Sequence, residues 1–259
     1  MNGRTTAAKQ LSVVCFDFET DGYTDPRPVE ACLLHLGRDR RKGVTMLTRG
    51  WRQRAWDDHT DPTPAHLELV RQQREAAAVH GIGGTLATLL PAWDWDATPE
   101  RTILDDLRQA DVWLVWSAFD AVLVGRELER RHGATWTRPT VLDVRLWAAA
   151  VLQPAQGQPE VSAPRLSSVS LGEACRALGV DHHRPHTALG DVGATWEMVH
   201  KLQTLLDGLH GWPIGRRDVL NLDPMLLMRL YQWQLRELRA RPDAWQTRSW
   251  WPAWLELRP

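Results

Sequence analysis

Apolar positions fall in short dense runs through the first half of the chain. Residues 11–18, LSVVCFDF, are β-branched and aromatic-rich with few polar interruptions, which predicts a buried strand running out into acids. Thr20, Asp21 and Gly22 supply a turn. Residues 29–36 and 43–47, separated by the charged stretch GRDRRKG, then predict two further strands and so a three-stranded meander. The period changes next: residues 64–79 are helical in spacing, and a second helix is expected over about 99–109, with Thr98 as N-cap and Pro99 at its first position. Residues 111–117, DVWLVWS, read as another buried strand feeding a helix over 119–131.

A strand or helix start over 141–151 carries Asp143. Residues 153–168, rich in Pro, Gln and Ser, have no period and read as a surface spacer or a gate beside the last motif. Helices resume over 170–178 and from Ala188 to about residue 209. A boundary is expected near residue 210, giving a domain over 1–210 and an extension over 211–259, in which Asp223 and Pro224 open a helix reaching about Ala240.

Composition narrows the classes. With 259 residues, 43% apolar and 24% charged, the chain can bury a core and is not a disordered or collagenous sequence. Its net charge of -1 provides no overall positive field, so any nucleic-acid binding must rest on a local site. Three scattered cysteines form no CxxC pair, and no apolar stretch reaches the length of a membrane span. The polar start lacks a signal-peptide core. A protein of the reducing cytoplasm without membrane association is the expectation.

The chemistry sits where apolar runs end. In a strand, residues two apart share a face, so Asp17 and Glu19 present two carboxylates side by side behind Val13 and Cys15. They repel each other unless a cation lies between them, which a divalent ion with oxygen preference would supply, or unless both face water. Asp120 is a lone acid opening a helix, where the helix dipole alone also favours Asp. His186 and Asp191 stand five residues apart, the Asp flanked by Gly190, Val192 and Gly193 and either facing other elements or exposed in a first turn.

In order, Asp17, Glu19, Asp120, His186 and Asp191 resemble the DnaQ-like (RNase H-like) 3'-5' exonucleases of the DEDDh type, whose motifs read D-x-E on a strand, A-x-F-D, and H-x-A-x-x-D. Val29 with Glu30, His80 to Ile82, Leu142 with Asp143, Ser170 to Gly172 and Leu178 to Val180 extend the match over roughly residues 11–205. One departure is plain: Trp116 and Ser117 stand where that family has His and Asn, so a hydroxyl replaces an amide expected near the substrate.

The resemblance implies an α/β fold, an RNase H-like mixed central sheet flanked by helices, with the C-terminal part as a helical extension. It implies two Mg²⁺ or Mn²⁺ ions, with Asp17 bridging both, Glu19 and Asp191 completing one, Asp120 serving the other, and His186 as general base. The backbone of Thr20 and Gly22 would contact the terminal sugar. His80 and Ile82 would line the terminal-nucleotide pocket, Ile82 reading equally as ordinary core, with Ser117 and Phe119 on the substrate side. Phe18 reads as packing on the opposite face. The implied reaction is hydrolysis at 3' ends of single-stranded DNA or RNA, releasing nucleoside 5'-monophosphates, in proofreading, repair or RNA trimming. A catalytically silent nucleic-acid-binding or scaffold module is the reading from another class, and four convergent carboxylates that repel phosphate when metal is absent argue against it. A zinc site of His182, His183 and His186 is disfavoured, because adjacent histidines in an extended segment point apart.

Tryptophan is the compositional oddity, 15 residues against 3 Phe and 2 Tyr. Residues 212–259 interleave Trp233, Trp245, Trp250, Trp251 and Trp254 with arginines, as a single-strand stacking platform would. Met228, Tyr231, Leu235 and Leu238 also give that segment one apolar helix face, which would dock on its own domain, a second copy in a homodimer, or a protein partner.

Overall fold

The computed structural model describes residues 11–22, 26–50, 64–82, 89–152 and 170–210. The extension over 211–259 and the segment 153–168 lie outside the described residues. Five strands form one sheet: β1 (Ser12–Thr20), β2 (Pro28–Gly37), β3 (Val44–Thr48), β4 (Val112–Val115) and β5 (Thr140–Asp143). Their order is β3-β2-β1-β4-β5, with the first three antiparallel and β4 and β5 parallel to β1. The helices are α1 (Pro64–His80), α2 (Thr98–Gln109), α3 (Ala118–His132), α4 (Val144–Leu152), α5 (Leu171–Leu178) and α6 (Ala188–His210). This is the expected α/β arrangement, a mixed sheet with flanking helices. None of these helices is long and apolar enough to cross a membrane.

β1 is central and covered on both faces, which is why its sequence is nearly continuous in apolar residues rather than alternating. Val13 and Cys15 pack with Cys32, Leu114, Trp147, Ala188, Val192 and Met198 on the face of α4, α5 and α6. Val14, Phe16 and Phe18 pack with Ile103, Leu107, Trp113, Ala121 and Leu128 on the face of α2 and α3. Phe18 therefore packs opposite Asp17, as its strand parity requires. Cys15, Cys32 and Cys175 are buried free thiols.

Three boundaries differ from the sequence expectation. β1 runs to Thr20, two residues past Phe18, because the ladder to β2 continues through the acids, pairing Asp17 with Cys32 and Glu19 with Glu30. α2 begins at Thr98, with Ala97 in the capping position; Thr98 is not the cap. Residues 141–151 split between the end of β5 and α4, since Asp143 is both the last residue paired with β4 and an acceptor for the Ala118 N–H at 3.2 Å. That bond serves the start of α3, whose own capping residue, Ser117, makes no capping side-chain bond.

Candidate active site

β1 ends with Asp17 and Glu19 pointing toward α6. α3 starts one strand away, and its third residue, Asp120, is buried with Oδ1 accepting from the Phe18 N–H at 3.3 Å. α6 contributes Asp191 from its first turn. Ligand oxygens of Asp17, Glu19 and Asp191 all lie within 4.8 Å of one another. Two faces of the sheet thus deliver acids to one end of β1.

Among the described residues no Lys or Arg forms an ion pair with these four carboxylates. Burial pushes the Asp17 carboxyl well above the usual range, and repulsion from Asp120, Glu19, Asp191 and Glu30 adds to it. Glu19 is raised to about 7 by burial, Asp191 and Glu30. Asp120 is raised by burial and Glu19, partly offset by the Phe18 N–H. The Cys32 thiol, opposite Asp17, is pushed up to about 12 by burial and by Asp17. The donor set is all carboxylate oxygen, which suits a hard divalent cation, and the mutual repulsion is what such an ion relieves.

The turn before α6 is held under strain. Arg184 and His186, at φ 54 and 63, are the non-glycine residues with positive φ among the described residues. Gly190 explains how the turn packs so closely: a Cβ there would lie 2.1 Å from the Arg184 carbonyl oxygen and 2.3 Å from that of His183. The close approach brings the His186 N–H to Asp191 Oδ1 at 3.1 Å and His182 Nε2 to the same oxygen at 2.7 Å.

His182 is the contact that spacing did not single out. His186 itself is exposed and meets Asp191 through its backbone rather than its ring. His183 turns away to Asp181 at 3.0 Å, so the three histidines do not converge.

The other expected substrate residues frame the end of β1. Thr20 Oγ1 donates to the Gly22 carbonyl at 2.9 Å, so that oxygen already has a protein partner. Buried Asp21 accepts from the Arg27 N–H and from Gln73 Nε2, both at 2.9 Å, tying α1 to the loop after β1. Gly22, at φ 152, lets Gln72 close over it; a Cβ would meet the Gln72 Cβ at 3.2 Å. His80 and Ile82 are both buried, and His80 Nδ1 accepts from the Ile82 N–H at 3.0 Å. Burial lowers the His80 pKa, so its neutral ring carries the proton on Nε2. Ser117 and Phe119 are half-buried at the start of α3, flanking Ala118 just before Asp120.

With this geometry in view, solved structures give a clear parallel. The chain shares its fold with E. coli exonuclease I. The structure of that enzyme with a dT13 oligonucleotide matches at a TM-score of 0.53 and 18% identity, over 78% of this chain and 43% of the other. The structure described as suggesting how processivity is achieved matches at 0.50 and 19%, over 89% and 44%. A zinc-bound form of its complex with single-stranded DNA also matches at 0.50 and 18%. This chain therefore spans under half the length of those proteins. No protein-family model and no curated protein sequence matches the chain.

Proposed function

We propose that this protein is a metal-dependent 3'-5' exonuclease that hydrolyses the terminal phosphodiester of single-stranded DNA or RNA and releases nucleoside 5'-monophosphates. The observation that carries the reading is the convergence of Asp17, Glu19 and Asp191, with Asp120 beside them, from three elements that share no local reason to be acidic together. The shared fold with an exonuclease whose solved complexes contain single-stranded oligonucleotides supports it.

In this reading residues 1–210 form the catalytic unit. Asp17, Glu19, Asp120 and Asp191 hold two Mg²⁺ or Mn²⁺ ions, which when bound supply positive charge to the phosphate and lower the pKa of water. His186, exposed beside Asp191, takes the proton of the attacking water with its ring. The 3'-terminal nucleotide lies against the loop of Thr20 and Gly22, with His80 and Ile82 shaping the wall behind it and Ser117 and Phe119 contacting the next residue. Ser117 has a hydroxyl available for that contact, because it makes no capping side-chain bond to α3. The extension over 211–259 is a docking or strand-binding element of the same chain.

The test is degradation of matched 5'-labelled single-stranded DNA and RNA by the full chain with Mg²⁺, Mn²⁺ or EDTA, beside Asp17→Ala and His186→Ala. A ladder shortening from the 3' end, absent with EDTA and lost in both variants, is expected. Cleavage that persists in Asp17→Ala, or none by the wild type at any metal concentration, would overturn the proposal, the latter in favour of a silent binding module.

A further inference from the structure

Asp191 reaches the other acids from a helix, so its place depends on how that helix is seated and how its carboxylate is turned. The seating is done by a fifth acid. Glu30 on β2 is 9% exposed and lies directly across the strand pair from Glu19. Its Oε2 accepts from the Ala188 N–H at 2.7 Å, and its Oε1 from Thr48 Oγ1 at 3.3 Å. Ala188 is the first residue of α6, and its N–H is one of the donors a helix start leaves without an internal partner. Asp191 follows less than one turn later. Burying a further negative charge here worsens the repulsion on Asp17 and Glu19, so it needs a compensating role.

The turning is done by the preceding loop. Asp191 Oδ1 accepts from both His182 Nε2 and the His186 N–H, which ties that oxygen to the loop before α6. We propose that Glu30 and His182 are positioning residues for Asp191, Glu30 fixing the start of α6 against β2 and His182 fixing the rotation of the carboxylate. The inference rests on the metal-site reading above, and neither residue touches substrate in it.

The experiment is calorimetric titration of the full chain with Mn²⁺ alone, alongside turnover on a single-stranded oligonucleotide. Glu30→Ala and His182→Ala should each weaken Mn²⁺ binding about tenfold and lower kcat, with KM for the oligonucleotide held within about twofold. Glu30→Gln and His182→Gln keep an acceptor and a donor in the same places and should recover most of the affinity. In an Asp191→Asn background, neither Ala substitution should weaken Mn²⁺ further, because all act through one group. Equal losses in that background, or a Glu30→Gln as weak as Glu30→Ala, would overturn the proposal by showing an effect of fold or of charge alone. Should Glu30→Ala fail to fold, the Gln and His182 variants still decide. Mn²⁺ binding that follows this pattern without any cleavage would sink the exonuclease reading and leave the positioning roles standing; cleavage indifferent to all four variants would do the reverse. No Mn²⁺ binding by the wild type would overturn both.

Discussion

Glu19→Gln separates what the site costs the fold from what it does. Glu19 has a pKa of about 7 in the folded chain against an ordinary value of 4.5. Between those values the folded state binds more proton than the unfolded one, so stability falls as pH rises through that window and the full cost remains above pH 7. At about 1.4 kcal/mol for each pH unit between the two values, the ionised Glu19 costs about 3 kcal/mol at pH 8. Gln has nearly the same shape and no charge. In EDTA at pH 8, Glu19→Gln should therefore melt above the wild type, by roughly 6–12 °C on the scaling for a chain of this size. At pH 4.5 the gain should nearly vanish, because Glu19 is largely protonated when folded. Saturating Mn²⁺ should close most of that gap at pH 8, since an ion bound at a hundred times its Kd stabilises the wild type by about 2.7 kcal/mol while the variant has lost a ligand and gains less. Thermal melts of both proteins at the two pH values, with EDTA and with Mn²⁺, check this. A variant no more stable than wild type at pH 8 without metal, or equally stabilised at both pH values, would refute the account of repulsion at this site.

Gly190→Ala sets two effects against each other: Ala favours a helix by about 1 kcal/mol, but its Cβ meets two carbonyl oxygens, so the variant should lose at least ~2 kcal/mol by urea denaturation and bind Mn²⁺ weakly. A more stable variant would mean the turn does not pack on α6. Gln73→Leu removes a buried donor from Asp21 and should cost about 1–3 kcal/mol, while raising KM for the oligonucleotide more than it lowers kcat, because the loop after β1 loosens. Ser170→Ala removes a reciprocal cap, Ser170 with Glu173 at the start of α5, and should cost about 1 kcal/mol without changing Mn²⁺ affinity in the same titration.

The strands and helices were legible because their signals are local. The meander, the strand of residues 111–117 and the helices after it follow from period and from turn residues, and the side-chain parity of Phe18 against Asp17 and Glu19 follows from strand geometry alone. Boundaries slipped where a partner distant in sequence decides them: the ladder from β2 carries β1 through its acids, and pairing with β4 carries β5 to Asp143 before α4 begins. Spacing does not mark His182 as the partner of Asp191 for a related reason, since nothing in a run of histidines says which one a strained turn presents to that carboxylate.

The sequence by itself determined which residues could do chemistry at the end of β1, since residue type and alternation are written in the chain. Only the tertiary structure decided which of them meet. Asp17, Asp120 and Asp191 are separated by scores of residues, and their distances are set by how α3 and α6 pack on opposite faces of β1. That packing turns on the absence of a side chain at Gly190 and on one buried carboxylate, Glu30, reaching a helix start 158 positions further along the chain.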